Sequence, residues 1–290
     1  DVRFSARVES SSLRAKCTAT PGDDWDARLG GFIQGVQPAE LIVPPDGMLQ
    51  ISLNFGKSVR ELWSAGSELA GMGEEAESLW QKLTGVPDGA GPNPVSIAMG
   101  FVGQLGPGVR LSLRGVDLNE MLPVPQVVAT FDANPDAAVT AFSMLPPLAA
   151  DASRYRMQPQ YDASAKCVRL PLIGGPSMEP TAGILGDSLL VSSSRTVAES
   201  LLGGDANVQR FPQPANVYVS VQPQALLEAV TSLASLLADN AMVRGYTSEG
   251  LRQFVAPWSA CAAEIKDITA SARLDGGTLN LELAISGKVQ

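Results

Sequence analysis

The chain has no histidine in 290 residues, and that zero removes several classes of chemistry. A Ser-His-Asp or Cys-His nucleophile needs an imidazole base, and His-ligated zinc, haem and copper centres need an imidazole nitrogen. Cysteine is scarce as well. Cys17, Cys167 and Cys261 are odd in number and too widely spaced for a disulfide framework, so at most one internal bridge can form. Cys17 alternates with Leu13 and Ala15, and Cys261 extends the helical stripe Leu251, Phe254, Val255, Trp258, so both read as buried apolar filler. Positive charge is short: 21 Lys and Arg face 30 Asp and Glu, a net charge of -9. Partners held by phosphate contacts need clustered cations, so nucleic acid is not expected. Long apolar runs are missing too. The longest helical apolar segment, Ala225 to Ala238, is interrupted by Glu228, Thr231, Ser232 and Ser235, and no membrane span is expected.

What is present is a hydrophobic content of 45%, enough for a packed core, on a chain long enough that two lobes are expected. The chain also repeats itself. Val2 to Thr20 (VRFSARVESSSLRAKCTAT) and Ile268 to Ser286 (ITASARLDGGTLNLELAIS) share a Ser-Ala-Arg run and a leucine, Leu13 and Leu279, in register. Alternation predicts hairpins at Val2–Ala19, Ala182–Ser193 and Glu264–Ile285, and a hairpin from Val95 to Val116 through Gly106-Pro107-Gly108. Strands are predicted at Met48–Phe55, Gln126–Phe131, Cys167–Leu172 and Ala215–Val221. Thr20-Pro21 predicts a helix over Asp23–Gln34, followed by a linker with Pro38, Pro44 and Pro45. Ser58 and Glu61 form a capping box opening a second helix, and Ala76, Leu79, Trp80, Leu83 mark a third. Asn134-Pro135 starts a fourth helix, Thr196 with Glu199 caps a fifth, and two more span Gln224–Ala238 and Ser248–Ala262. Pro257 should kink or break the last.

Met48–Val116 and Ala215–Ser286 share the order strand, helix, helix, hairpin. Val2–Phe55 and Ala182–Val221 share hairpin, helix, linker, strand. The expected fold is therefore α+β: two related lobes of mainly antiparallel sheet with helices on one face, arising by internal duplication. Residues 1–47 would join 204–290 in a discontinuous lobe, beside a continuous lobe at 48–203.

Chemical motifs are few. Gly186-Asp187-Ser188-Leu189 spells the tetrapeptide of a lipase and esterase family, but its serine would need the missing imidazole, and Gly-Asp between apolar runs is a hairpin turn. None of Lys16, Lys57, Lys82, Lys166, Lys266 and Lys288 stands three residues after a serine, so a lysine base has no local support. Glu74/Glu75, Asp23/Asp24 and Glu249 are nominal carboxylates for a glycosidase. Aromatics are only 6%, however, and Trp63, Trp80 and Trp258 fall on predicted core stripes rather than sugar platforms. Gly103 to Gly108 and Gly174-Gly175-Pro176 lack a following helix of phosphate-loop type, and Asp132, Asn134, Asp136 are explained by a turn and cap. No catalytic, cofactor-binding or metal-ligating residue is assigned, and no cofactor is expected.

The segment Ala182 to Leu202 (AGILGDSLLVSSSRTVAESLL), with Pro123-Val-Pro-Gln-Val-Val128 before it, resembles a group of bacterial extracytoplasmic proteins of unknown function built from similar hairpin and helix units. The resemblance covers about a third of the chain, implies export and a non-catalytic role, and carries over no functional residue. Asp1 in place of Met fits a removed leader. The expected function is that of an extracytoplasmic binding or structural protein, periplasmic or secreted, with an unknown protein or small-molecule partner. The alternative is a hydrolase using acidic residues without histidine. Self-association through hairpin edges at Val2–Val8 or Leu279–Ile285 is a further expectation.

Overall fold

A hairpin of β1 (Val2–Glu9) and β2 (Ser12–Ala19) opens the chain, followed by β3 (Glu40–Val43) and β4 (Leu49–Asn54). Three helices come next, α1 (Val59–Leu69), α2 (Gly73–Thr84) and α3 (Pro94–Gly103). The central run is β5 (Gly108–Asp117), β6 (Val124–Asp132), α4 (Pro135–Ala152), β7 (Gln160–Asp162), β8 (Cys167–Arg169), β9 (Thr181–Leu185), β10 (Ser188–Ser192) and α5 (Arg195–Leu202). The last part is β11 (Gln209–Pro212), β12 (Val217–Val221), α6 (Pro223–Asp239), α7 (Ser248–Glu264), β13 (Ile265–Asp275) and β14 (Thr278–Gly287). This computed structural model describes residues 2–9, 11–20, 22, 40–43, 47–85, 94–118, 123–152, 158–172, 174–203, 209–212, 215–240, 242, 245–275 and 277–288. The helix expected at Asp23–Gln34, the Asp23/Asp24 pair and the linker prolines lie outside the described residues.

The protein is α+β. Twelve strands form one sheet in the order β1-β2-β14-β13-β12-β4-β5-β6-β10-β9-β8-β7, with every neighbouring pair antiparallel. The pair β3 and β11 makes a separate two-stranded ribbon. The strands of 2–19 and 217–287 occupy one half of the large sheet and those of 49–192 the other. Between the halves β4 pairs with β12, Ile51 opposite Val219.

Side chains alternate along each strand, so residues directly opposite one another share a face. One row runs Val8, Leu13, Ile285, Ile268, Val221, Leu49, Leu113 and defines an apolar face. The other face of the same strands carries Thr269, Ser220, Gln50 and Ser112. On the apolar face, Phe101 and Val102 of α3 and Ala138, Phe142 and Leu145 of α4 pack against Phe131, Ile184, Leu189 and Val191. Leu190, the next residue, points the opposite way and packs with Val128 against Val197, Ala198 and Leu201 of α5. Helices therefore cover both faces, which corrects the expectation of one covered face; the consecutive Leu189 and Leu190 each need a cover.

Local signals explain most of the helix ends. Ser58 and Glu61 form the reciprocal capping box of α1, worth about 1 kcal/mol. Asn134 Oδ1 accepts from the backbone N–H of Asp136 (3.0 Å) and Ala137 (3.3 Å) to start α4. The cap of α5 is Ser194, which accepts from the Val197 N–H, rather than Thr196.

Four further expectations differ from the structure. Residues 94–103 form α3 and not a strand. Proline at the first helical position presets φ, and Gly103 lies so close to the Trp80 ring that a Cβ would come within 2.8 Å of it, so packing overrides the β-branched look of Val95 and Ile97. Of the kink or break expected at Pro257, the break does not occur: α7 continues through it. Its stripe is also not core: Trp258 is 64% exposed, and Phe254 and Cys261 are exposed too. Finally, Leu279–Ile285 is no edge, because β14 pairs with β13 on one side and β2 on the other.

Candidate functional site

The two halves meet over a polar cavity of about 570 Å³ on the polar face of the sheet. Four strands supply it. Gln50 comes from β4, Arg110 from β5, Tyr218 and Ser220 from β12, and Lys266, Asp267 and Thr269 from β13. Lys288 completes the rim, its Nζ donating to Gln224 Oε1 at 2.5 Å. The room comes from small side chains. In the row Tyr218, Ser52, Arg110 the middle residue is a serine, and in the row Ser220, Gln50, Ser112 the last is. Gly47 sits at the floor, where a Cβ would collide with Ser112 Oγ.

Arg110 dominates the electrostatics. Its side chain is only 2% exposed, and burial pushes its guanidinium down to about 10, against a smaller opposing effect of Tyr218. It still carries its charge at neutral pH. The lining thus holds three cations, Arg110, Lys266 and Lys288, against one carboxylate, Asp267, in a chain whose net charge is -9. Among the described residues the buried hydroxyls of Ser52 and Ser112, on either side of this site, have no hydrogen-bond partner. Sequence reasoning did not reach this site, since its residues come from strands far apart in the chain.

A second polar cavity, about 370 Å³, is lined by Asp162, Ser164, Cys167, Arg169, Thr181, Arg195 and Glu199. Its charged groups are committed to local structure. Asp162 Oδ1 accepts from Ser164 N (2.9 Å), Ser164 Oγ (2.6 Å) and Ala165 N (3.1 Å), closing the β7–β8 turn. These bonds hold its carboxyl below the usual range. Arg195 pairs with Glu199 at 2.6 Å and with Glu179 at 3.6 Å. Burial pushes the Cys167 thiol above its ordinary range, away from the thiolate form that nucleophilic chemistry needs.

The other sequence candidates are dispersed. Glu74 and Glu75 lie in the first turn of α2, and Glu75 lines an apolar cavity between α1 and α2 with Leu62, Trp63, Met72 and Leu79. Glu249 stands in the first turn of α7 and accepts from Gln253. Ser188 of the Gly-Asp-Ser-Leu run is buried in the β9–β10 hairpin, whose turn is Gly186-Asp187. Asp132 lies opposite Ser188, and burial, reinforced by Asp187, pushes its carboxyl above the ordinary range. Among the described residues no group of three or more Cys, Asp or Glu is placed to hold a metal ion.

Sequence reasoning overlooks one motif, Gly56-Lys57-Ser58, which stands between β4 and α1 in the strand, Gly-Lys-Ser, helix order of a phosphate loop. The structure gives it another task. Glu61 Oε2 accepts from Ser58 N and from Ser58 Oγ, both at 2.7 Å, so a carboxylate already occupies the helix start. The preceding strand β4 also lies between antiparallel neighbours.

The α6–α7 side bears an apolar groove of about 440 Å³ lined by Leu227, Val230, Trp258, Cys261, Ile265 and Ile268 among others. No described helix is long and apolar enough to cross a membrane. Comparison with protein-family models, curated proteins and solved structures gives no match for this chain.

Proposed function

We propose that this chain is a non-catalytic binding protein, acting outside the cytoplasm, that takes a small anion of the carboxylate or phosphate class into the cavity over the β4–β12 seam. The observation that carries this reading is the local reversal of charge: Arg110, Lys266 and Lys288 converge with only Asp267 against them in an acidic chain. A bound anion would make charge-assisted hydrogen bonds with these cations. Extracytoplasmic placement rests on the resemblance carried by Ala182–Leu202 and Pro123–Val128.

The seam is also where two copies of one unit would meet. A two-fold axis through the Ile51–Val219 pair carries β4 onto β12, β5 onto β13 and β6 onto β14, matching Leu111 with Ala270 and Ala129 with Leu283. It carries the β9–β10 hairpin onto β1–β2, matching Val191 with Ala15 and Ala182 with Ala6. Even the flanking hydrogen bonds correspond: Asn54 N to Asn216 O (2.7 Å) and Gln222 N to Met48 O (2.8 Å). These correspondences support an internal duplication in which the two copies have exchanged hairpins. Residues 1–47 with 204–290 then form one lobe and 48–203 the other.

The test is a thermal-shift and calorimetric titration with inorganic phosphate and with a panel of mono- and dicarboxylates at low ionic strength. The wild type should be stabilised in a saturable way, and Lys266→Gln, at an exposed position, should weaken binding roughly tenfold. Arg110→Met should abolish it. An unshifted wild type, or saturable binding equally strong in both variants, sinks the reading.

One observation favours the alternative hydrolase. Asp132, with its raised carboxyl, stands near Asp187, the pattern of an acid beside a carboxylate. Neither residue lines any cavity described above, and the binding reading is preferred. Hydrolysis of a glycoside panel that is lost in Asp187→Asn would reverse that preference.

A further inference from the structure

The two outer edges of the large sheet differ. At one end β7 has three residues, a blunt edge; at the other β1 has eight, all exposed. Phe4 is 72% and Val8 78% exposed. The apolar face beside this edge is bare where its counterpart is covered. Leu189 in the β9–β10 hairpin is 4% exposed beneath α4, while Leu13, which the two-fold axis matches to it, is 39% exposed. Leu281 and Leu283 of β14 are exposed too. Proteins normally blunt or cover a long apolar edge, and a contiguous apolar patch of this kind marks an interaction surface.

The register says which backbone groups of β1 face outward. Gly287 N donates to Ser11 O, so the odd-numbered residues from Ser11 along β2 direct their backbone groups at β14, and Ser12, Arg14, Lys16 and Thr18 direct theirs at β1. Their partners are Glu9, Arg7, Ser5 and Arg3. The N–H and C=O groups of Val2, Phe4, Ala6 and Val8 are therefore the ones presented at the edge.

From this we infer that β1 pairs antiparallel with β1 of a second copy, on a two-fold axis at Ala6. Ala6 then faces Ala6 of the other copy, Phe4 faces Val8, and Arg3 faces Glu9. Phe4, Ala6 and Val8 enter hydrogen-bonded pairs, and the large sheet runs through both copies with its apolar face continuous. Among the alternative registers, the one centred on Ser5 pairs all four of these groups but sets Arg3 directly against Arg7. Like charges directly opposite are destabilising and opposite charges stabilising, so charge selects the Ala6-centred register. This assembly does not depend on the anion proposed for the seam.

The experiment is sedimentation velocity and light scattering across the micromolar range on wild type, Arg3→Glu, Glu9→Arg and the double swap, with circular dichroism as the check on folding. The wild type should dimerise. Each single variant sets like charges against each other and should weaken dimerisation at least about tenfold, and the double swap should restore it. Ala6→Pro removes an outward N–H without touching the β1–β2 ladder and should give a folded monomer. A wild type that is monomeric throughout overturns the inference; if that monomer co-sediments with vesicles of anionic lipid, the apolar face belongs to a lipid surface. A wild-type dimer insensitive to all four variants, or a double swap that fails to recover, overturns the register.

Discussion

Asp132 is the residue whose setting makes a sharp pH statement. Burial, and secondarily the charge of Asp187, lift its carboxyl above the ordinary range, so the folded chain holds this proton to higher pH than the unfolded chain does. Its contribution is complete below the unfolded value and is lost as pH rises through the folded one. Asp132→Asn, which cannot ionise, should match wild-type stability near about pH 3 and exceed it, by no more than a few degrees in Tm, near about pH 7. Calorimetric scans of both proteins across that range check the sign, and a variant less stable than wild type at neutral pH refutes it. Residues of this kind are only half legible in sequence. Ser58, Glu61 and Asn134 declare themselves because a cap is made within a few residues. Arg110 does not: Val109-Arg110-Leu111-Ser112-Leu113 shows an arginine on the polar side of a strand, but its burial depends on β4 and β12, which arrive from elsewhere in the chain.

Among the elements, α7 is the least expected. Seventeen residues stay helical through Pro257, although proline there withdraws the N–H that would bond the carbonyl one turn earlier and crowds that carbonyl. Position 257 is exposed, so packing on the ring offers little compensation. Pro257→Ala should therefore stabilise the protein by roughly 1–3 kcal/mol, seen as a higher urea midpoint with an unchanged m-value. An unchanged or lowered midpoint would mean that the proline serves the groove at Trp258 and Cys261. Hairpins were the most legible elements, because alternation and a tight turn lie within one short window, as in Leu185-Gly186-Asp187-Ser188. The helix α3 was hidden, since Val95 and Ile97 carry a strand-like pattern while the contacts that favour a helix, from Phe101, Val102 and Trp80, are tertiary. The apolar stripe of α7 has a true helical period but its outer part lacks a covering partner, and a period alone cannot say whether a face is buried.

At the scale of the whole molecule everything converges on the joint between β4 and β12, and Asn216 is its fastener. Buried at the start of β12, it donates from Nδ2 to Asn54 O at 2.9 Å, accepts at Oδ1 from Leu274 N at 2.7 Å, and accepts at its own carbonyl from Asn54 N at 2.7 Å. One side chain thus ties β4 to β13 across β12. No local pattern could reveal this, because Asn54, Asn216 and Leu274 meet only once the distant strands have paired, just as the β2–β14 ladder joins the first strands to the last. Asn216→Ala leaves a carbonyl and an N–H without their side-chain partner, at a cost of roughly 2–4 kcal/mol. The consequence depends on how the halves are coupled. If the seam is one cooperative core, the variant should still unfold in a single transition, shifted to lower denaturant and coincident by tryptophan fluorescence and circular dichroism. Trp63 and Trp80 report from the half containing α1 and α2, and Trp258 from the other; the fourth tryptophan, Trp25, lies outside the described residues, and replacing both Trp25 and Trp258 leaves the α1–α2 signal alone. A variant in which the α1–α2 half keeps the wild-type midpoint while the β12–β14 half melts early would show two units merely abutting. The seam cavity would then have no shared frame to hold Arg110 against Lys266, and anion binding should disappear in the same variant even where the remaining half is folded.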